Sequence, residues 1–415
     1  MMPAFAERNG ELAAEGVPLA DIAARFGTPC FVYSRAAIES AYRAFDDALA
    51  GTPHLACYAM KANSNLAVLN LLARLGSGFD IVSGGELARV IAAGGDPGKV
   101  VFSGVGKTEA EMIRALEAGI LCFNVESASE LEHLQRVAQR LGKRAPVSFR
   151  VNPDVDPKTH PYISTGLKES KFGVALDAAP ALYRHAATLS HIAVRGIDIH
   201  IGSQITELAP YLEAAGKAFA LVDQLAAEGI ELEHIDLGGG IGIRYRDEET
   251  IDPYQYALAI RQVAGKRALK LLFEPGRVLV GNAGVLLTRI LYLKPGPAKN
   301  FAIVDAAMND LLRPALYDAW HDVRPVRQRS ESPAIWNIVG PVCESADFLA
   351  HNRSLALVEG DLLAIGSAGA YAMSMSSNYN SRPRAPEVIV DGNSVHLVRV
   401  RETVEELYAR ENLLP

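Results

Sequence analysis

The chain has 415 residues, of which 49% are hydrophobic and 21% charged, and its formal net charge is -7. This composition fits a globular protein with a sizeable core and argues against a nucleic-acid or anionic-membrane surface. Cys30, Cys57, Cys122 and Cys343 lie far apart with no CxxC pair, so reduced thiols in a cytoplasm are expected rather than a zinc site or disulfides.

In chain order, the opening "MMPAFAERNGELAAEG" has no basic segment followed by an apolar core, so no secretory signal is expected. No apolar run reaches membrane-spanning length. Residues 1–30 could pair with the first barrel strand. From residue 54 to about 274, β-rich apolar runs alternate with helical stretches. The runs are "HLACYAM", "GFDIVS", "VVFSG", "LCFNVE", "PVSFRVN", "VRGIDIH", "HIDLGGG" and "LKLLFEP". Between them, Ser83, Thr108 and Ser127 each stand three residues before a Glu, the pattern of a capped helix start. Gly76, Gly94, Gly119, Gly142 and Gly229 follow helical runs, where a left-handed residue is wanted. Eight strands alternating with helices imply a parallel sheet, and eight suggests closure into a TIM-like (β/α)8 barrel rather than an open sheet. The run between "FRVN" and "GVALD" is long for a compact domain, which marks it as functional or disordered. From about residue 276 the style changes to β-type runs split by turns, a separate all-β domain. The expected division is 31–275 for the barrel, with 1–30 and 276–415 forming the β-rich domain.

Barrels of this kind do their chemistry at the C-terminal ends of the strands. Here those ends carry Lys61, Asp80 with Ser83, Arg150 with Asn152, His200, Gly238–Gly240 and Glu274. A lone lysine at a strand end is usually solvated. In a pocket it can instead be an amine that attacks a carbonyl. The glycine triplet after strand 7, with Gly276 and Arg277 after strand 8, stands where barrels bind phosphate, although a tight turn also explains glycines. Glu274 could form a salt bridge or hold a ring nitrogen protonated. His200 could be a buried core histidine or stack on a flat cofactor, and no metal-binding partner motif lies near it. Lysine, anion cradle, carboxylate and flat face together are what pyridoxal 5'-phosphate needs. "SGVGKT" at 103–108 is a decoy, because a phosphate-binding P-loop needs glycine where Val101 stands.

The motifs "YAMKAN", "GFDIVSGGEL", "ISTGLKESKFG", "HIGSQI", "DLGGGIGI", "EPGR", "MNDLLRPALYDAWH", "GPVCESADFLA" and "GAYAMSMSSNYN" occur in this order. With them the sequence resembles the barrel-type (fold type III) pyridoxal-phosphate decarboxylases, alanine racemase/ornithine decarboxylase-like in fold, over nearly its whole length. The resemblance is strongest to the branch acting on meso-2,6-diaminopimelate. It implies decarboxylation of that amino acid to L-lysine in a homodimer with active sites at the interface. It implies that Lys61 holds the cofactor's aldehyde and that His200 stacks on its ring. Ser203, Gly238–Gly240, Gly276 and Arg277 would lie at its phosphate, Glu274 at its pyridine nitrogen, and Tyr371 close by. Arg277, Arg313, Tyr317 and Tyr371 would bind substrate. Cys343, as proton donor, and Glu344, as ligand of the distal amine, would reach in from the partner subunit. Ala307 departs from the family pattern, which has glycine there. A decarboxylase for ornithine, arginine or carboxynorspermidine, and a cofactor-binding protein without turnover, remain the alternatives.

Overall fold

The computed structural model describes residues 4–157, 165 and 170–415. Most of the motif "ISTGLKESKFG", and with it the question posed by the long loop, lies outside the described residues; Thr165 and Ser170–Gly173 lie within them. The chain divides into two compact units: Tyr42–Ile243 with Glu249–Val278, and the chain up to Ala41 with Arg244–Glu248 and Leu279–Pro415.

The first unit is a closed barrel. Its strands are β1 (His54–Ala59), β2 (Gly78–Ile81), β3 (Val100–Phe102), β4 (Cys122–Val125), β5 (Ala145–Asn152), β6 (Ile192–Asp198), β7 (His234–Asp236) and β8 (Lys270–Phe273). Each pairs in parallel with the next, and β8 returns to β1 through Leu272↔Leu55. All eight apolar runs of the sequence become these strands. They are buried on both faces, which is why they read as near-continuous apolar runs. Leu55, Cys57, Val101, Cys122 and Leu272 pack together as an interior cluster. The thiols of Cys57 and Cys122 serve there as small apolar groups, both fully buried.

The helix signals form real caps. Ser83, Thr108 and Ser127 each accept a hydrogen bond from the backbone N–H of the Glu three residues on. Only Thr108 closes the reciprocal box with Glu111. Glu86 and Glu130 instead reach one residue further back, to the N–H groups of Val82 and Glu126. The helices at Gly84 and Ala128 follow β2 and β4 after two residues, and these backward bonds hold those strand ends in place; the helix at Glu109 follows β3 after six residues.

In the second unit the central strand is Gly284–Lys294, flanked by Cys30–Ser34 and Phe301–Val304. Glu387–Asp391 and Ser394–Arg399 continue the sheet as a hairpin beyond Cys30–Ser34. Ala334–Val339 and Phe348–Leu355 continue it on the other side. Two sequence expectations are corrected here. The described N-terminal residues do not pair with the first barrel strand: Phe5–Arg8, Glu11–Ala14 and Val17–Pro18 form their own antiparallel sheet, and Leu12, Ala14 and Leu19 pack with Val32, Val285 and Val388. Cys30–Ser34, most of which the expected barrel range takes in, likewise belongs to the β-rich unit. Both have one cause: a barrel that closes on itself offers no free edge, so the chain's first three strands pair with one another and Cys30–Ser34 pairs with later strands. The run after "EPG" also opens as a short helix, Arg277–Val280, before its strand begins.

Candidate active site

Lys61 stands two residues beyond β1, beside Asp80 of β2, whose register partner is Ala59. Its Nζ lies 2.7 Å from Asp80 Oδ2. Asp80 is buried, so this lysine is held by a carboxylate that water does not reach, unlike a solvated surface lysine.

Asp198 ends β6 and Asp236 ends β7, and the two are register partners. Glu274 follows β8 directly. One oxygen from each of these three buried carboxyls lies within 4.8 Å of the others. Asp198 Oδ1, Asp236 Oδ2 and Glu274 Oε1 accept no hydrogen bond among the described residues. Burial is the main cause that raises the pKa of each, and repulsion by neighbouring carboxylates adds to it. Asp198 is pushed up to about 7, with Arg150 opposing the shift. Glu274 is pushed well above the carboxylate range by burial and then by Asp80, Asp236 and Asp198, with Lys61 opposing. Arg150, register partner of Asp198 in β5, lies 3.6 Å from the buried Glu126 and stacks over the Phe172 ring at 4.7 Å. Glu126 also accepts the N–H of Gly173 at 2.9 Å. The end of the Ser-Lys-Phe-Gly motif is thereby docked on the strand ends of β4 and β5.

His200 is neutral. Burial first, then the charges of Arg150 and Lys61, push its pKa well below the ordinary imidazole value. Its Nδ1 accepts the N–H of Gly239 at 3.1 Å, which leaves the proton on Nε2. The 3.9 Å separation between His200 Nδ1 and Glu274 Oε2 is therefore a contact between a neutral ring and a carboxyl rather than an ion pair. The glycines after β7 are sterically required. A Cβ on Gly239 would stand 2.0 Å from the Glu274 carbonyl oxygen, and one on Gly240 (φ +94°) 2.1 Å from that of Gly202. Their N–H groups are not equivalent, however. Gly238 donates to Asp236 Oδ1 at 2.9 Å and Gly239 to His200, so only the Gly240 N–H is uncommitted among the described residues. The anion cradle expected from three glycines is narrowed to Gly240, with Ser203 and Arg277 beside each other at 3.0 Å.

These parts fit pyridoxal phosphate. A lysine amine, a buried carboxyl with an unused oxygen, a neutral aromatic ring and a glycine turn that tolerates no side chain all lie on one end of the barrel.

In the β-rich unit, Arg313 and Tyr317 are the first and last residues of the short helix Arg313–Tyr317, four apart and on one face. Arg313 is buried. Cys343 and Glu344 are exposed, and the Cys343 N–H donates to Asn380 Oδ1 at 2.8 Å. Tyr371 has φ +54°, an uncommon value for a tyrosine. The Ala307 methyl is buried against Gly340, whose missing side chain makes room for it, and the Ala307 N–H still donates to Asp310 at 3.0 Å. The departure from glycine is accommodated at that contact.

Residues 35–281 match the family described as pyridoxal-dependent decarboxylase, pyridoxal binding domain. The chain is 65% identical over 414 residues to the diaminopimelate decarboxylase of Pseudomonas aeruginosa, covering 100% of both chains. It is also similar to two crystal structures of diaminopimelate decarboxylase complexed with L-lysine. That from Helicobacter pylori has TM-score 0.92 at 43% identity, covering 95% of this chain and 99% of that one. That from M. jannaschii has TM-score 0.95 at 39% identity, covering 99% and 98%. The chain belongs to the diaminopimelate decarboxylase family. Within this family's barrel, the structure brings Lys61, His200, Ser203, Gly238–Gly240, Glu274 and Arg277 to the same strand ends, and groups Arg313 and Tyr317 in the other unit. Ser83 is not among them: it is spent on capping the helix that follows β2.

Sequence reasoning missed Asp198, Asp236 and Glu126. A signal existed in "DIH" and "HIDLGGG". Strand residues two apart share a face, so His234 and Asp236 both point into the barrel. His234 meets Ser148 Oγ at 2.8 Å there, in space that a Cβ on Gly196 would fill. His321 and Tyr245, which pack on Arg313, were missed as well.

Proposed function

We propose that this protein decarboxylates meso-2,6-diaminopimelate to L-lysine and CO2 with pyridoxal 5'-phosphate as cofactor. The observation that carries the substrate is the 65% identity over the full length to a diaminopimelate decarboxylase. The barrel-end geometry supports the cofactor. When bound, the cofactor supplies an electron sink for the bond to the departing carboxylate.

The protein's own residues do the rest. Lys61 is the amine that would hold the cofactor's aldehyde, and Asp80 keeps that amine positioned and its charge balanced before loading. Glu274 would hold the ring nitrogen through its unused Oε1, and its raised pKa would suit it to share a proton there. His200 offers a neutral face, locked by the Gly239 N–H, so no charge competes with the carboxylates below. Gly240, Ser203, Gly276 and Arg277 would take the phosphate, with Tyr371 as an additional contact. Arg277, in the barrel, and Arg313 with Tyr317, in the β-rich unit, would bind substrate carboxylate, with Tyr371 assisting. Cys343 and Glu344, both exposed, would be donated to the partner subunit of a homodimer, the thiol delivering a proton to Cα and the carboxylate holding the distal amine. On this reading the barrel carries the cofactor, and the β-rich domain supplies the substrate-site and interface residues. An ornithine-type substrate has no distal carboxylate and would need no second arginine.

Reduction of the cofactor-loaded protein with borohydride, followed by peptide mapping, tests the cofactor assignment. The pyridoxyl label is expected on Lys61; a label elsewhere would remove the assignment.

A further inference from the structure

Beyond β6 and β7 the barrel carries two neighbouring loops, residues 199–205 with Ser203 and residues 237–243 with Gly240. The ladder between the strands ends at Asp198 and Asp236, and Ile199 still donates to the Asp236 carbonyl at 3.0 Å. The loops then part round the glycine turn and meet again at their far ends. Ile205 donates to the Gly240 carbonyl and Gly242 to the Ile205 carbonyl, each at 2.9 Å. Gln204, in the motif "HIGSQI", adds a fastening from its side chain. Its Oε1 accepts the Ile243 N–H at 3.2 Å, and its Nε2 donates to the Ile243 carbonyl at 2.7 Å. The amide pairs with both main-chain groups of one residue, as a neighbouring strand would, and only this orientation of the amide satisfies both. The backbone of Gln204 has φ +59°, a region that favours glycine. Turn geometry alone would select glycine here; what glycine lacks is the amide.

The three carbonyls of the glycine turn are all taken. That of Gly238 accepts the Glu274 N–H at 2.8 Å, that of Gly239 the Tyr211 hydroxyl at 3.1 Å, and that of Gly240 the Ile205 N–H. The turn therefore presents N–H rather than C=O, as an anion site requires. Ser203 and Gly240 stand on different loops, so a group that touches both is held only as well as the loops keep their register. We infer that Gln204 is a positioning residue for the cofactor's phosphate, fixing the loop of Ser203 against the loop of Gly240. This rests on the proposed placement of that phosphate at Ser203 and Gly240.

The test compares two ligands on the full chain stripped of cofactor, with binding followed by absorbance: pyridoxal 5'-phosphate, and pyridoxal, which has the same ring and aldehyde without the phosphate. Gln204→Ala is expected to weaken binding of pyridoxal 5'-phosphate about tenfold, the order of two weak hydrogen bonds, with pyridoxal within about threefold of the parent. Gln204→Gly is expected to show the same selective loss, although it suits the backbone better, and it decides the matter if Q204A does not fold. Equal losses for the two ligands, or failure of both variants to fold, would make the amide a structural contact and overturn the inference. Parent-like affinity for pyridoxal 5'-phosphate in Q204G would overturn it as well, because the loops would then keep register without the amide. Ser203→Ala, measured in parallel, separates the two readings. If S203A loses pyridoxal 5'-phosphate selectively and the Gln204 variants do not, the positioning role falls alone. If S203A shows no selective loss, the placement of the phosphate falls, and the inference with it.

Discussion

At the scale of single residues, the site is defined by how few charges are satisfied. Four buried carboxyls, Asp80, Asp198, Asp236 and Glu274, lie near one lysine, and Asp80 forms an ion pair with it. The consequence for Asp198 is measurable. Its folded pKa is raised to about 7, against roughly 4 in an unfolded chain. A raised carboxyl contributes stability that is full below the unfolded value and is lost as pH rises through the folded value. The cofactor-free protein is therefore expected to lose stability between about pH 4 and 7 through this group. Asp198→Asn, an uncharged isostere, should remove that loss: a thermal melt at pH 8 should rise by several degrees over the parent, with little change at pH 4. Equal melting temperatures at pH 8 would mean that Asp198 stays ionised at no cost. Lys61, His200 and Glu274 were legible in the sequence because each falls at the end of an apolar run. Asp198 and Asp236 were not, because a carboxyl inside a strand is recognised as buried only once the barrel is closed.

At the scale of elements, turns and caps place the chemistry. The Gly238–Gly240 turn threads between the backbones of Gly202 and Glu274, with no space for a side chain. Gly239→Ala is expected to abolish cofactor binding, seen as loss of the bound chromophore; a variant that loads normally would show that the turn has slack. Thr108→Ala opens the complete capping box of the barrel helix that follows β3 and should cost about 1 kcal/mol, read by denaturant unfolding. Helix starts and stops were legible because their signals are local: a hydroxyl three residues before a glutamate, or a glycine where φ must be positive, as at Gly119 (φ +72°). Strand partners are not local. Cys30–Ser34 reads as an ordinary apolar run, and nothing within it tells that it pairs with residues 284–287 and 387–390.

At the scale of the whole molecule, a fold class was legible from the count of eight alternating runs, and the β-rich remainder from its change of rhythm. The assignment of Tyr245 was not, because Arg244–Glu248 lies between barrel elements in sequence yet belongs to the other unit. The proposed homodimer carries its own test. Lys61→Ala and Cys343→Ala variants, each inactive alone, should on mixing regain roughly a quarter of parent activity, since half of the dimers are hybrids with one intact site. No regain, with hybrids verified, would place Cys343 in the same subunit's site or in none. The most direct measurement of the central claim is the release of CO2 and L-lysine from meso-diaminopimelate by the purified protein, with and without added pyridoxal 5'-phosphate. Equimolar CO2 and L-lysine, formed only when the cofactor is present, are expected; cofactor binding without CO2 release, or an amine formed instead from ornithine or arginine, would contradict it.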